Sequence, residues 1–344
     1  MLDFLVVGSG LTGATIARLH HDQGHRVLVL EQRDHVGGNV HDHLRHGIRV
    51  HTYGPHYFRT NNPRIWAWVN RFAEWWEYEP CLLSEVDGEL YPWPPTADVV
   101  ERFTDDPRLH EGRVTNFEEA SLTMMPEGVY RRFVEGYTRK QWGCDPVTLS
   151  PDLAGRFDVR TTDLRLKPHR WQGVPVHGYH SLMQSLLEGI RVELGTPWDH
   201  HPRGAHVVYT GPLDAYHQHR LGKLGYRQQH RTHHWHPEVD QWQPCGQVNN
   251  PGPGAHIRTL EWKHMQPTPA KGTVITMETP MAGGYEYPIP DATNRELAVR
   301  YKRIPTPGVT ICGRLGEYRY YDMDQAIGRA MRIAARLGAR EQAA

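Results

Sequence analysis

Three features of the sequence predict an α/β fold: a glycine turn between an apolar strand and a helix in the first thirty residues, a helical stretch over 97–150, and a strand-rich stretch over about 224–304. The first feature marks a Rossmann-like dinucleotide-binding domain. Phe4-Leu5-Val6-Val7 is a short apolar run, as in a buried parallel strand. Gly8-Ser9-Gly10-Leu11-Thr12-Gly13 follows, then a helix with Ala14, Ile16 and Ala17 on one face that stops at Gly24, then a second strand, Arg26-Val27-Leu28-Val29-Leu30, ending in Glu31. Gly8 permits the tight turn, Gly10 lets the backbone approach a pyrophosphate, Gly13 lets helix and strand pack, and Glu31 is placed to accept from a ribose. The helix start offers unpaired N–H groups to the phosphates. Gly37-Gly38 marks a second close backbone approach. The fingerprint predicts an adenine dinucleotide and leaves FAD and NAD open.

The remaining elements follow in order. Residues 64–79 have the periodicity of a Trp-rich amphipathic helix, and Asp87-Gly88 marks a hairpin followed by a proline-stiffened loop. The helical stretch 97–150 is broken at Pro107, Pro126 and Gly143. A helix is predicted over 179–190 and a buried strand over 206–210. Strands dominate 224–304, VTICG reads as a last strand, and 324–337 as an amphipathic helix ending at Gly338.

With 344 residues the chain has room for one elaborated domain or two to three interleaved ones, and for a core without covalent staples. Lys+Arg 39 balances Asp+Glu 39, which argues against a general nucleic-acid or polyanion binder while allowing a local phosphate clamp. No apolar run is long enough for a membrane span, and MLDFLVVGSG lacks the basic region of a secretory signal. Cys81, Cys144, Cys245 and Cys312 are far apart, without a CxxC, which fits a reducing compartment and no cysteine-based metal site. The composition therefore predicts a cytoplasmic protein without nucleic-acid or membrane partners.

Several constellations carry candidate chemistry. Phe133, Tyr137 and Trp142 recur at helical spacing, either as core or as an aromatic platform for a base or sugar. GRLGEYRYYDMD places Arg314, Arg319, three tyrosines and two aspartates before a helix, either a solvated loop or a pyrophosphate site. Arg160 and Arg258 are isolated cations in strand-like context, and His56 sits in TYGPHYFRT. His230, His233, His234 and His236 alternate along one strand without an accompanying acid or cysteine, so no metal site is predicted. No GxSxG, Cys–His pairing or phosphate-loop motif supplies a protein nucleophile.

Taken together, VVGSGLTGATIA with Glu31, YGPHYF, FVEGYTRKQWG, GVPVHGY, YTGPLDA, LGYR and GRLGEYRYYDMD, in this order, resemble the UDP-galactopyranose mutase family along nearly the whole chain. The resemblance implies a Rossmann-like FAD-binding domain with an inserted helical bundle and an antiparallel β-sheet domain. It divides the chain into FAD-binding parts at 1–80, 179–215 and 306–344, a mainly helical lid domain at 81–155, a lid and sheet segment at 156–178, and the antiparallel sheet at 216–305. It implies a redox-neutral interconversion of a nucleotide-linked hexopyranose and hexofuranose, with FAD active in its reduced form and flavin N5 as the nucleophile at the anomeric carbon. A cytoplasmic homodimer acting on a nucleotide sugar is the expected working form.

Residue by residue, Arg160 and Arg258 look like the family's arginines on the diphosphate, and Tyr287 and Tyr320 like its phosphate-binding tyrosines, with Asp322 beside them. Phe133, Tyr137 and Trp142 match positions around the nucleoside and sugar. His56 matches a histidine beside the isoalloxazine, and Arg314 an arginine near the FAD pyrophosphate. Thr12, Gly38, Asn39, Asp322 and Met323 complete the expected cofactor set with Gly8, Gly10, Gly13 and Glu31. The chain departs from the family at Pro92, Val134, Leu166 and at Arg59, where a histidine is usual. These departures lie on the nucleotide side, so UDP-galactopyranose is the default substrate and a GDP- or dTDP-linked hexose the alternative. An amine or alcohol oxidase, and a sugar-nucleotide binder without turnover, are the competing readings.

Overall fold

The computed structural model describes residues 2–156 and 169–341. At its base is a five-stranded parallel sheet. Phe4–Val7 lies at the centre, flanked by Val27–Leu30 and His206–Tyr209, with Arg191–Glu193 and Val309–Ile311 outside them. Phe4–Val7 and Val27–Leu30 are buried along their whole length, which is why they read as unbroken apolar runs. Helices Leu11–Asp22, Gly178–Leu186 and Met323–Glu341 cover one face, and Val6, Ile16, Val29, Leu182, Ile327 and Ala330 share its core. The last helix continues past Gly338, where the sequence predicted its end.

The expected helix over 64–79 is shorter. It runs Pro63–Val69, with Asn62 Oδ1 accepting from the Arg64 and Ile65 amides. The chain then extends as Trp75–Glu77 and pairs with Trp171–Pro175, which also pairs with Phe58–Thr60. Trp75 packs on Phe58 and Trp66 at ring distances of 5.1 and 5.4 Å. Long-range pairing and aromatic packing here outweigh the helical periodicity.

A seven-stranded sheet forms the second layer, in the order Tyr287–Pro288, Tyr226–His236, Thr273–Ala282, Arg258–Glu261, Gln247–Asn249, Leu82–Val86, Glu89–Trp93. Its pairings are antiparallel except Gln247–Asn249 with Leu82–Val86, which is parallel. The hairpin turns at Asp87-Gly88, both with positive φ, as a two-residue turn requires. Around it pack Ala97–Arg102, Phe117–Leu122, a π-helical turn Tyr130–Glu135 and Gly136–Trp142, with Tyr91, Trp93, Phe103 and Phe133 in a common core. Within the strand-rich stretch lies an unforeseen helix, Ala292–Lys302, capped by the Asp291 carboxylate on the Asn294 amide. Among the described residues no helix is long and apolar enough to cross a membrane.

Candidate active site

The glycine turn is held by Glu31, which the sequence reading assigned to a ribose. Its Oε2 accepts from the Ser9 amide at 2.9 Å and the Ser9 hydroxyl at 2.7 Å, and Oε1 accepts from the Arg33 amide at 2.9 Å. The carboxylate therefore anchors the turn while lining the cavity beyond it. A Cβ on Gly13 would lie 2.0 Å from the Gly8 carbonyl oxygen, so only glycine allows helix and strand to approach this closely. Gly38 abuts Gly10 in the same way: a Cβ there would meet the Gly10 Cα at 3.0 Å. The helix beginning at Leu11 has no side-chain cap, leaving its first amides for a phosphate. Asn39 Oδ1 accepts from Arg33 Nη2 at 3.0 Å, and the Arg33 guanidinium lies 4.3 Å over the Tyr53 ring.

Beside this cradle is a wall the sequence reading missed. The Thr196 amide donates to the Glu31 carbonyl at 2.8 Å, which brings Trp198 to the cavity that Glu31 also lines. The Trp198 ring stacks with Tyr216 at 5.7 Å, 17° between planes, and tilts against Tyr209 at 5.4 Å. No motif marks this loop; only the pairing of Arg191–Glu193 beside Val27–Leu30 brings it here.

A single cavity of about 870 Å³ runs from the glycine cradle to the sheet. Gly8, Gly10, Thr12, Gly13, Glu31, Gly38 and Asn39 line one end. His56, Phe133, Tyr137, Trp142, Arg258, Tyr287, Arg314, Tyr320, Asp322 and Met323 line the rest. Arg160 lies outside the described residues, as do Leu166 and the rest of 157–168 in the predicted lid and sheet segment. All other candidate residues therefore share one space.

At the sheet end, Glu278 on the strand Thr273–Ala282 stands opposite both Arg231 and Arg258 on its two neighbours. Arg258 Nε donates to Glu278 Oε2 at 2.5 Å, and Arg231 Nε donates to Oε1 at 2.7 Å. Arg231 also donates from Nη1 and Nη2 to Glu286 at 2.9 and 2.8 Å. Glu278 is fully buried; burial acts to raise its pKa, but the Arg258 and Arg231 guanidiniums outweigh it and hold the carboxyl below its ordinary range. Neither cation was read as part of a network in the sequence, because the partners are far apart in the chain and meet only through strand register.

Burial pushes the Tyr287 hydroxyl up to about 12, so it stays a hydrogen-bond donor, and Arg314 lies 5.5 Å over its ring. His56 Nδ1 is 2.7 Å from the Gly54 carbonyl, which can only accept, so this nitrogen carries the proton and Nε2 keeps its lone pair. Burial, followed by the neighbouring His51 and Arg314, brings the His56 pKa down to about 3. Phe133 and Trp142 are both core and cavity wall: Phe133 is 3% exposed and stacks parallel to Trp93 at 6.1 Å. Asp322 precedes the helix Met323–Glu341, and its carbonyl accepts from the Ala326 amide at 2.9 Å.

Comparison with known proteins agrees with this architecture. The family model for UDP-galactopyranose mutase matches residues 132–320, and one for NAD(P)-binding Rossmann-like domains matches residues 6–72. A probable UDP-galactopyranose mutase of Klebsiella pneumoniae is 32% identical across 96% of this chain and 94% of its own. A dTDP-fucopyranose mutase of Escherichia coli is 30% identical across 96% and 97%. The human flavin-containing amine oxidase B is 32% identical, but over only 26% of this chain. The crystal structure of a reduced UDP-galactopyranose mutase superposes with a TM-score of 0.76 at 14% identity, covering 98% of this chain and 94% of its own, a likeness of fold. The family model spans more than half of the sequence and the K. pneumoniae relative nearly all of it, so the chain belongs to the UDP-galactopyranose mutase family.

Proposed function

We propose that this chain is a flavin-dependent mutase that interconverts a nucleoside-diphosphate hexopyranose and its hexofuranose, with UDP-galactopyranose the first substrate to test. The observation that carries the reading is the single cavity joining the dinucleotide cradle to the Arg258–Glu278 wall. The cradle suits FAD: close backbone packing at Gly13 and Gly38 shapes the turn, the uncapped helix start and Glu31 accommodate a pyrophosphate and a ribose, and Trp198 offers a ring beside the latter. When bound and reduced, the flavin supplies the nucleophile for the anomeric carbon through N5, which accounts for the lack of a protein nucleophile motif.

The chain's own part is to bind, orient and stabilise. Arg258, aligned by Glu278, and Arg160 are proposed to hold the diphosphate as negative charge develops on the departing oxygen, where fixed donors act most strongly. Tyr287 and Tyr320 are proposed to donate to the same phosphates, Tyr287 remaining protonated because burial raises its pKa to about 12. His56 is proposed to present a neutral Nε2 to the cofactor side of the site. Phe133, Tyr137 and Trp142 shape the nucleoside and sugar walls, while Arg314, Asp322 and Met323 close the cofactor side. By the same resemblance, the working form is proposed to be a cytoplasmic homodimer. A dTDP-linked hexose is the second reading, because the E. coli dTDP-fucopyranose mutase is nearly as similar to this chain as the K. pneumoniae relative.

The test is an anaerobic assay of dithionite-reduced protein with UDP-, dTDP- and GDP-hexopyranoses, resolving products by chromatography. An isomeric product that requires reduced flavin is expected. Peroxide release with bleaching of oxidised flavin would instead mark an oxidase, and ligand-induced stabilisation without product would mark a binder.

A further inference from the structure

Arg258 brings no net charge to the wall it lines. The Arg231, Arg258, Glu278 and Glu286 side chains are joined in one network, two guanidiniums against two carboxylates. A diphosphate arriving there meets well-placed donors but a balanced field, so its charge is left to cations outside this network, Arg160 being the one proposed above.

Arg59 is a further guanidinium on the same cavity. It lies in the strand Phe58–Thr60, whose first residue is buried in the nucleotide-domain core at 1% exposure. Strand alternation turns Arg59 to the opposite face, and it lines the cavity with Arg258, Tyr137 and Tyr320. Its guanidinium lies 5.4 Å over the Tyr57 ring. Tyr57 marks the meeting point: burial raises its pKa, Arg59 and Arg258 both oppose that rise, and Tyr320 and Tyr137 add to it. One ring is thus close enough to feel both cations and both candidate phosphate- and sugar-side tyrosines.

We infer that Arg59 is a substrate-binding residue that contacts the diphosphate of the nucleotide sugar and adds a second guanidinium to the donors of Arg258; the choice of ligand rests on the mutase reading. A guanidinium also offers two parallel donors to phosphate oxygens, which a histidine at this position would not.

The test uses the full-length, FAD-loaded protein and its Arg59→Gln and Arg59→Met variants. Dissociation constants are measured calorimetrically for UDP, dTDP and GDP, and for uridine, thymidine and guanosine. Wild type is expected to bind at least one diphosphate, and Arg59→Gln to weaken that one about tenfold or more with its nucleoside affinity unchanged. Unchanged diphosphate affinity overturns the inference. Equal loss of nucleoside and diphosphate affinity also overturns it, because that pattern reports a collapsed wall rather than a missing charge. If Arg59→Gln does not retain FAD, Arg59→Met is judged by the same two criteria. Failure of wild type to bind any of the three diphosphates would overturn the mutase reading itself, an outcome distinct from a variant that binds as wild type does.

Discussion

Glu278 holds Arg258 with one carboxylate oxygen and Arg231 with the other, at 2.5 and 2.7 Å, from the middle strand of three. Arg258 is thereby fixed by its Nε before any ligand arrives. Arg258→Ala is expected to retain flavin and to lose about 10²–10³ in kcat, the scale of removing one preorganised donor from a developing oxyanion. Steady-state kinetics on the flavin-loaded variant checks this; wild-type rates would remove Arg258 from the mechanism.

Replacing Glu278 tests the other half of that relationship. Glu278→Gln leaves two buried guanidiniums facing a neutral amide, and breaking a buried pair in this way costs about 3–5 kcal/mol. The arginines hold the Glu278 pKa below its ordinary range against the effect of burial. The ion pairs therefore contribute stability above the ordinary carboxylate pKa, and it is lost only as pH falls through the lower folded value. Denaturant unfolding at neutral pH should show the loss, and the variant should be less sensitive to acid than wild type in the range below pH 4.

Acid should destabilise wild type earlier than that, through its histidines. Burial brings the pKa of His51 to about 3 and that of His20 to about 4. Below the ordinary histidine pKa of about 6.5 the unfolded chain takes up protons that the folded chain does not, so stability falls as pH falls. His51, 4% exposed, accounts for about 2 kcal/mol of loss between neutral pH and pH 5. The Tm should drop steeply over that interval. His20→Phe, at a buried ring stacked 3.8 Å from Phe4, should flatten the slope; an unchanged slope would refute the assignment to His20.

Gly13→Ala should abolish the cradle, because the new Cβ would sit 2.0 Å from a backbone oxygen with no flexible side chain to give way. The expected result is a protein purified without flavin absorbance. A normal flavin complement would show that helix and strand can separate at this point.

Trp198→Ala should weaken FAD retention without touching the sheet end of the cavity. Loss of one stacking face on a base is worth about 1–3 kcal/mol, so the flavin dissociation constant should rise about fivefold or more. Fluorescence titration of the deflavinated protein measures it, and an unchanged constant would exclude contact between Trp198 and the cofactor.

The dinucleotide turn was legible because its parts are local: strand, glycines, helix and acid lie within thirty residues, and each has a physical reason at its position. The hairpin at Asp87-Gly88 was legible for the same reason. The double role of Glu31 was not, since nothing in the composition tells that Ser9 binds it. Arg258 was matched through resemblance, but the balancing of its charge depends on Glu278, Arg231 and Glu286, which only antiparallel register assembles. Trp75–Glu77 was misread as helix because its partner strand comes about a hundred residues later. Trp198 lies in a loop with no motif, and Arg59 departs from the family at a position that only the fold brings to the same cavity as Arg258.

The order of strands in the parallel sheet bears on how the protein is made. Its central strand is Phe4–Val7, yet the sheet edge is Val309–Ile311, and Gly313 beyond it packs against Thr12 of the glycine turn. The segment that carries the central strand therefore waits for one about three hundred residues further along the chain before its cradle is complete. Such non-local closure slows folding and leaves apolar strands uncovered during synthesis. Cofactor capture then depends on a chain folded through residue 313, and a chain ending before residue 309 would leave the edge of His206–Tyr209 unpaired, a template for aggregation beside an unfinished cradle.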